Sequence, residues 1–164
     1  MVDMFDLLEK DPEEHIRRCN SVIKQAPDNF MAWFMKGLGH GNLGDHEQSI
    51  KCFDIALDIN PSYHKAMVWK LNSLGALLRW NDIIIVSGEA LKLEPNNVNT
   101  LEIRGRAFVN LERNEEAMEC FEKAIKLDKN NEEVLKGMGA ALIGLGRNEE
   151  AKEILRKIGI NLQL

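Results

Sequence analysis

An all-α chain of stacked antiparallel helix pairs is the fold this sequence predicts, and three observations predict it. First, Pro27, Pro61 and Pro95 stand 34 residues apart. The place where the next would fall is Lys129, in Leu127-Asp128-Lys129-Asn130-Asn131, which parallels Leu93-Glu94-Pro95-Asn96-Asn97 and Ile59-Asn60-Pro61-Ser62-Tyr63. Proline disfavours helix at the residue before it, so each marks a helix end. Second, other positions obey the same ruler. Counting from Phe30, His64, Val98 and Glu132, place 4 holds Trp33, Met67, Leu101 and Leu135, and place 8 holds Gly37, Leu71, Gly105 and Gly139. Place 20 holds Ser49, Ile83, Ala117 and Ala151; place 24 holds Phe53, Ser87, Phe121 and Leu155; place 27 holds Ala56, Ala90, Ala124 and Ile158. Third, a fixed period in this range signals a repeat array, in which one helix pair cannot bury its apolar face alone and neighbours must stack.

The elements follow in order. Asp11-Pro12-Glu13-Glu14 starts a helix, with Asp as cap and Pro in the first turn. That helix runs to about Gln25, ends before Pro27, and is expected to be met by a short helix from about Asp3 to Glu9. Residues 1–29 therefore read as an N-terminal cap, followed by repeats at 30–63, 64–97, 98–131 and 132–164. Helix A is expected over about 30–43, 64–77, 98–111 and 132–145, and helix B over about 46–59, 81–93, 114–127 and 148–158. Small residues at places 8 and 20 let the paired backbones approach, while bulk at places 4 and 24 fills the space between layers. Gly159 stops the last helix and leaves the tail Ile160-Asn161-Leu162-Gln163-Leu164.

The sequence of large residue, Gly, small, aromatic, small and Pro resembles the tetratricopeptide-repeat (TPR) family. The resemblance covers residues 30–164, and 98–131 matches it most fully. It implies a right-handed solenoid whose A helices line an inner groove, and a role in holding a partner protein or peptide. In the family, places 2, 5, 9, 12 and 13 face that groove. Carried over, the candidate partner-binding residues are Met31, Phe34, Leu38 and Asn42; Lys65, Val68 and Asn72; Asn99, Glu102 and Arg106; and Lys136 and Ala140. Met31, Phe34 and Leu38 are expected to form an exposed apolar stripe. On that reading, Phe34→Ala and Arg106→Ala weaken partner capture without lowering the melting temperature. Lys65, Asn72, Asn99, Arg106 and Lys136 would meet carbonyls or a carboxylate of the partner.

One family role does not transfer. TPR co-chaperones that grip a C-terminal carboxylate use a set of Lys, Asn and Arg; the corresponding places here hold Phe34, Leu38, Trp69, Asn99 and Ile103. Starting one repeat later, Asn72 alone matches.

Residues that suggest chemistry have other readings. The glycines of Gly37-Leu38-Gly39-His40-Gly41-Asn42-Leu43-Gly44 fall on helix A and its turn, whereas a phosphate loop needs a preceding strand and a helix starting just after. His15, His40, His46 and His64 have no ligand spacing with the cysteines, so no metal or cofactor is expected. The carboxylates of Glu112, Glu115, Glu116, Glu119 and Glu122 lie on a solvated face, and no pair is forced into a dry pocket, so no enzyme is expected.

Composition agrees. A net charge of −5 disfavours a phosphate-binding surface, and with it the alternative of an RNA-binding helical repeat. Apolar runs fall short of the roughly 18 residues a membrane span needs. Met1-Val2-Asp3-Met4-Phe5-Asp6 lacks a signal peptide's basic start. Cys19, Cys52 and Cys120 are few and far apart, as in reduced thiols of a cytoplasmic protein. The remaining alternative is a module that assembles with itself through uncapped ends and its apolar tail.

The second repeat departs from the pattern, with Leu71 and Ile83 large and Ser87 small. Gly88 costs its helix about 1 kcal/mol relative to alanine, and Ile83-Ile84-Ile85-Val86 is a β-branched run. Amide hydrogen exchange should therefore be faster over 81–93 than over 114–127, and equal protection of the two would dismiss the idea.

Overall fold

A computed structural model describes residues 8–161, and every regular element among them is an α-helix. The helices are α1 Pro12–Gln25, α2 Phe30–Asn42, α3 His46–Ile59, α4 His64–Ala76, α5 Trp80–Leu93, α6 Val98–Asn110, α7 Asn114–Leu127, α8 Glu132–Gly144 and α9 Asn148–Arg156. Their bounds agree with the expected ones to within two residues. Leu8-Glu9-Lys10 is helical, while the rest of the expected helix from Asp3 lies outside the described residues, as do Leu162-Gln163-Leu164 of the tail.

Polar side chains set the helix starts. Asp11, Asn29, Asp45, Asn97 and Asn131 accept hydrogen bonds from the backbone amides of Glu14, Ala32, Gln48, Thr100 and Val134 at 2.9–3.2 Å. The turn between helices A and B is a repeated structure. Gly44, Leu78, Glu112 and Gly146 all take the left-handed conformation, with φ of 76°, 57°, 59° and 72°. Each donates its amide to the carbonyl three residues back, and the following residue donates to the carbonyl five back, as in Glu112 to Val109 and Arg113 to Phe108.

The chain forms two compact units, residues 1–79 and 80–164, and the division falls inside the second 34-residue segment. In the first unit α1, α2, α3 and α4 pack in series. Its core joins Cys19, Phe34, Met35, Leu38, Phe53, Ala56 and Ala66, flanked by Leu8, Phe30, Trp33, Leu57 and Tyr63. In the second, α5 to α9 pack in series around Leu101, Phe108, Phe121, Val134, Met138, Leu142 and Ala151, and α6 also touches α8.

Within the pairs, the place-24 side chain sits on the place-8 glycine. A methyl group on Gly37 would come to 2.5 Å from the Phe53 ring, on Gly105 to 2.6 Å from Phe121, and on Gly139 to 2.7 Å from Leu155. Bulk at place 24 thus lies against its own pair; Phe121 also presses on Gly137 of the next repeat.

Helix α1 is tied to α2 by a histidine that the sequence marked only as lacking a metal-ligand spacing. His15 is fully buried, and its Nε2 donates to the Met35 carbonyl at 2.9 Å. Gly39 lets α1 come close, since a methyl there would meet Ile16 at 2.7 Å. Beside His15, burial pushes the Cys19 thiol up to about 11.

In α5, the small residues make room for an arginine. The Arg104 guanidinium from α6 donates to the Ile84 carbonyl at 2.9 Å and to Ser87 Oγ at 3.3 Å, and a methyl on Gly88 would lie 2.9 Å from it. The small Ser87 and Gly88 thus leave the space that the Arg104 guanidinium fills over this stretch of backbone.

Non-glycine residues in the left-handed region carry about 1–2 kcal/mol of strain. Glu112 sits there, exposed, in a turn where two other repeats use glycine. Glu112→Gly should therefore add up to about 1 kcal/mol of stability, read as a higher denaturant midpoint, the gain being reduced by the extra freedom of an unfolded glycine.

Candidate functional site

Seven of the twelve expected groove residues line two hollows, one in each compact unit, and Met31, Phe34, Lys65, Val68 and Asn99 line neither. The first lies among α2, α3 and α4 and has a volume of about 110 Å³. Leu38, Gly41, Asn42, His46, Ser49, Phe53, Trp69, Asn72 and Ser73 line it. Leu38, Asn42 and Asn72 were candidates by repeat position. Trp69, His46, Ser49 and Ser73 were not, and nothing in their repeat positions marked them; the Trp69 indole is exposed.

A hydroxyl chain backs this hollow. Ser49 Oγ donates to the Gly37 carbonyl at 2.8 Å and lies 3.1 Å from Ser73 Oγ. A serine has one proton to donate, so Ser73 must be the donor to Ser49. Asn42 turns to donate to the Leu8 carbonyl at 3.0 Å. Among the described residues His46 Nδ1 is buried without a hydrogen-bond partner.

The expected apolar stripe needs correction. Met31 is 42% exposed, but Phe34 is 4% and Leu38 6% exposed. Phe34 packs its ring edge-on to Tyr63 at 5.1 Å between centroids and tilted against Phe53 at 5.8 Å. Tyr63 is the last residue of its repeat, and it closes over the ring that repeat position would leave open. Its hydroxyl donates to Met31 Sδ at 3.7 Å. Lys65 and Asn72 are exposed, and Val68 is half-buried.

The second hollow lies between α6 and α8 and has a volume of about 190 Å³. Glu102, Arg106, Val109, Glu133, Lys136, Gly137 and Ala140 line it. All but Gly137 stand at the expected inward places, on consecutive turns of two A helices. The second glycine so close to place 8 was the available signal for Gly137: Phe121 fills the space where its side chain would be. Asn99 is exposed and does not line this hollow.

The charges here are layered. The Glu102 side chain is 12% exposed and lies 3.4 Å from the Arg106 guanidinium, which is 50% exposed. Glu133 accepts a hydrogen bond from Lys136 at 2.6 Å, and that bond holds its carboxyl below the usual range. Burial pushes Glu102 up; Arg106 opposes the shift, and the neighbouring Glu133 adds to it. Among the described residues no three His, Cys, Asp or Glu side chains gather as metal ligands, and no helix is long and apolar enough to cross a membrane.

Antiparallel helix pairs recurring every 34 residues, glycine against ring, define a helical-repeat protein. Two family models, both described as tetratricopeptide repeat, match the chain, over residues 32–63 and 108–163. The chain belongs to the tetratricopeptide-repeat family, whose members typically serve protein–protein interaction and are usually non-catalytic. Among solved structures, MamA (residues 41 to the end) from Desulfovibrio magneticus RS-1 is similar, with 20% identity over 94% of this chain and 88% of that one, at a TM-score of 0.88. A second MamA structure shares 18% identity over 96% and 93%, also at 0.88. YrrB, described as a TPR protein with an unusual peptide-binding site, shares 16% identity over 90% and 76%, at 0.81. At these identities the likeness is one of fold. No curated protein matches the sequence.

Because Phe34 is part of the core, Phe34→Ala should cost about 3–5 kcal/mol of stability. Thermal melting of the variant checks this; an unchanged melting temperature would show that the ring is dispensable to packing.

Proposed function

We propose that the protein is a non-enzymatic adaptor that holds a peptide segment or domain of a partner against the inward faces of its A helices. One observation supports this most: six side chains at groove places of two successive repeats line a single hollow between α6 and α8. Four of them are charged, which suits recognition of a polar segment, and Val109 and Ala140 give an apolar wall. The peptide-binding site in the description of YrrB is a precedent on the same fold. We place the protein in the cytoplasm, where its three buried free thiols would remain reduced.

The structure moves the experiment away from Phe34 and onto exposed residues. Arg106→Ala combined with Lys136→Ala should weaken peptides selected on the wild-type chain from a displayed random library by about fivefold to tenfold. Both side chains are largely exposed, so the melting temperature should hold. Calorimetric titration reads the affinity. Unchanged binding by the double variant would place the contact surface elsewhere.

A further inference from the structure

We propose that the hollow between α6 and α8 receives the side chain of a lysine or arginine from the partner segment, with Glu102 as its counter-ion. This rests on the groove reading above and names the chemistry of what the groove holds.

Depth decides the sign of charge it accepts. Arg106 and Lys136 are at the rim, 50% and 44% exposed, whereas the Glu102 side chain is 12% exposed. With the two rim cations on carbonyls of the partner's backbone, as the groove reading has them, a side chain that enters between them meets a carboxylate at the floor. An acidic side chain would be repelled there; a cation would be stabilised in a partly dry site.

The floor carboxylate also has capacity for a further partner. Among the described residues Glu102 accepts no hydrogen bond, and its one ionic contact is Arg106 at 3.4 Å on the same helix. A pair four residues apart with a half-exposed partner is weak, so an incoming cation can displace or share it. Lys136 is engaged with Glu133 and does not serve Glu102. A carboxylate drawn this far from solvent, held by one long ion pair, is stabilised by a cation that comes to it.

Shape agrees with charge. Val109, Gly137 and Ala140 offer an apolar wall for the methylene stem of a lysine or arginine. Gly137 presents no side chain to the hollow, because Phe121 occupies that space from behind. The volume of about 190 Å³ exceeds that of a cavity of about 150 Å³ that takes benzene. Calcium or magnesium would want six or more oxygen ligands, which the two carboxylates of this hollow do not approach.

Acid should weaken the interaction. Burial and Glu133 raise Glu102's affinity for a proton, Arg106 lowers it, and a bound cation would favour the ionised form. Those groups and Lys136 are the titratable side chains lining the hollow; α5 and α7 contribute none to it. Affinity should therefore fall as pH drops from 7 through the raised pKa of Glu102, and Glu102→Gln should flatten that profile.

The test uses the full chain and a displayed library of short random peptides. Peptides selected on the wild type should share a lysine or arginine. Glu102→Gln should weaken the best of them about thirtyfold, replacing that lysine or arginine by norleucine should do the same, and the two changes together should do little more. Glu102→Gln removes a charge that is largely withdrawn from water, so at pH 7 it should melt at or above the wild type, which separates lost binding from lost folding. Acidic peptides, or basic peptides indifferent to Glu102→Gln, would overturn the subsite. If such peptides still weaken with the Arg106→Ala, Lys136→Ala pair, the groove reading survives without it. If no peptide is enriched, or none responds to that pair, the groove reading fails and the subsite falls with it.

Discussion

The contact on which the helix pairs depend is a bulky side chain lying directly on a glycine of the facing helix. Phe53 on Gly37, Phe121 on Gly105 and Leu155 on Gly139 are one interaction repeated at a fixed distance along the chain. Each removes a large apolar surface from water, and each requires the A helix to have no side chain at that point. The glycine weakens its own helix by about 1 kcal/mol relative to alanine, and the buried ring or leucine offsets that loss. Removing bulk leaves a cavity, and adding bulk opposite forces the helices apart. The 34-residue ruler in the sequence records this constraint.

The inward faces follow from it. Once place 8 faces helix B, the side chains at places 2, 5, 9 and 12 are turned toward the neighbouring A helix by helical periodicity alone. Glu102, Arg106 and Val109 on α6 and Glu133, Lys136 and Ala140 on α8 meet in this way. Packing does not dictate their identity, which leaves them available for recognition.

The helices were legible because they rest on local and periodic signals: Asn and Asp caps, prolines after the B helices, and recurrent small residues. What was not legible depended on contacts between positions unrelated by the period. Phe34 stands at a groove place but is covered by Tyr63, from the far end of the same repeat. His15 had no counterpart in any repeat, so nothing in the pattern marked its bond to the Met35 carbonyl. Gly88 and Ser87 read as defects until Arg104 was seen to occupy the space they leave. For the candidate site, the positions on α6 and α8 were visible in sequence, whereas the depth that sets Glu102 below Arg106 and Lys136 was not.

The hydroxyl chain in the first unit has a consequence for how the sequence can drift. Ser73 hands its hydrogen to Ser49, and Ser49 hands its own to the Gly37 carbonyl, so the relay runs one way. Losing Ser73 leaves Ser49's donation intact and vacates only a lone pair. Losing Ser49 first strands the Ser73 hydrogen in a buried place. A lineage drifting toward the alanines of the third and fourth repeats, Ala117 and Ala151 at the place of Ser49 and Ala107 and Ala141 at the place of Ser73, therefore has an easy order of replacement, Ser73 before Ser49, and a costly reverse one.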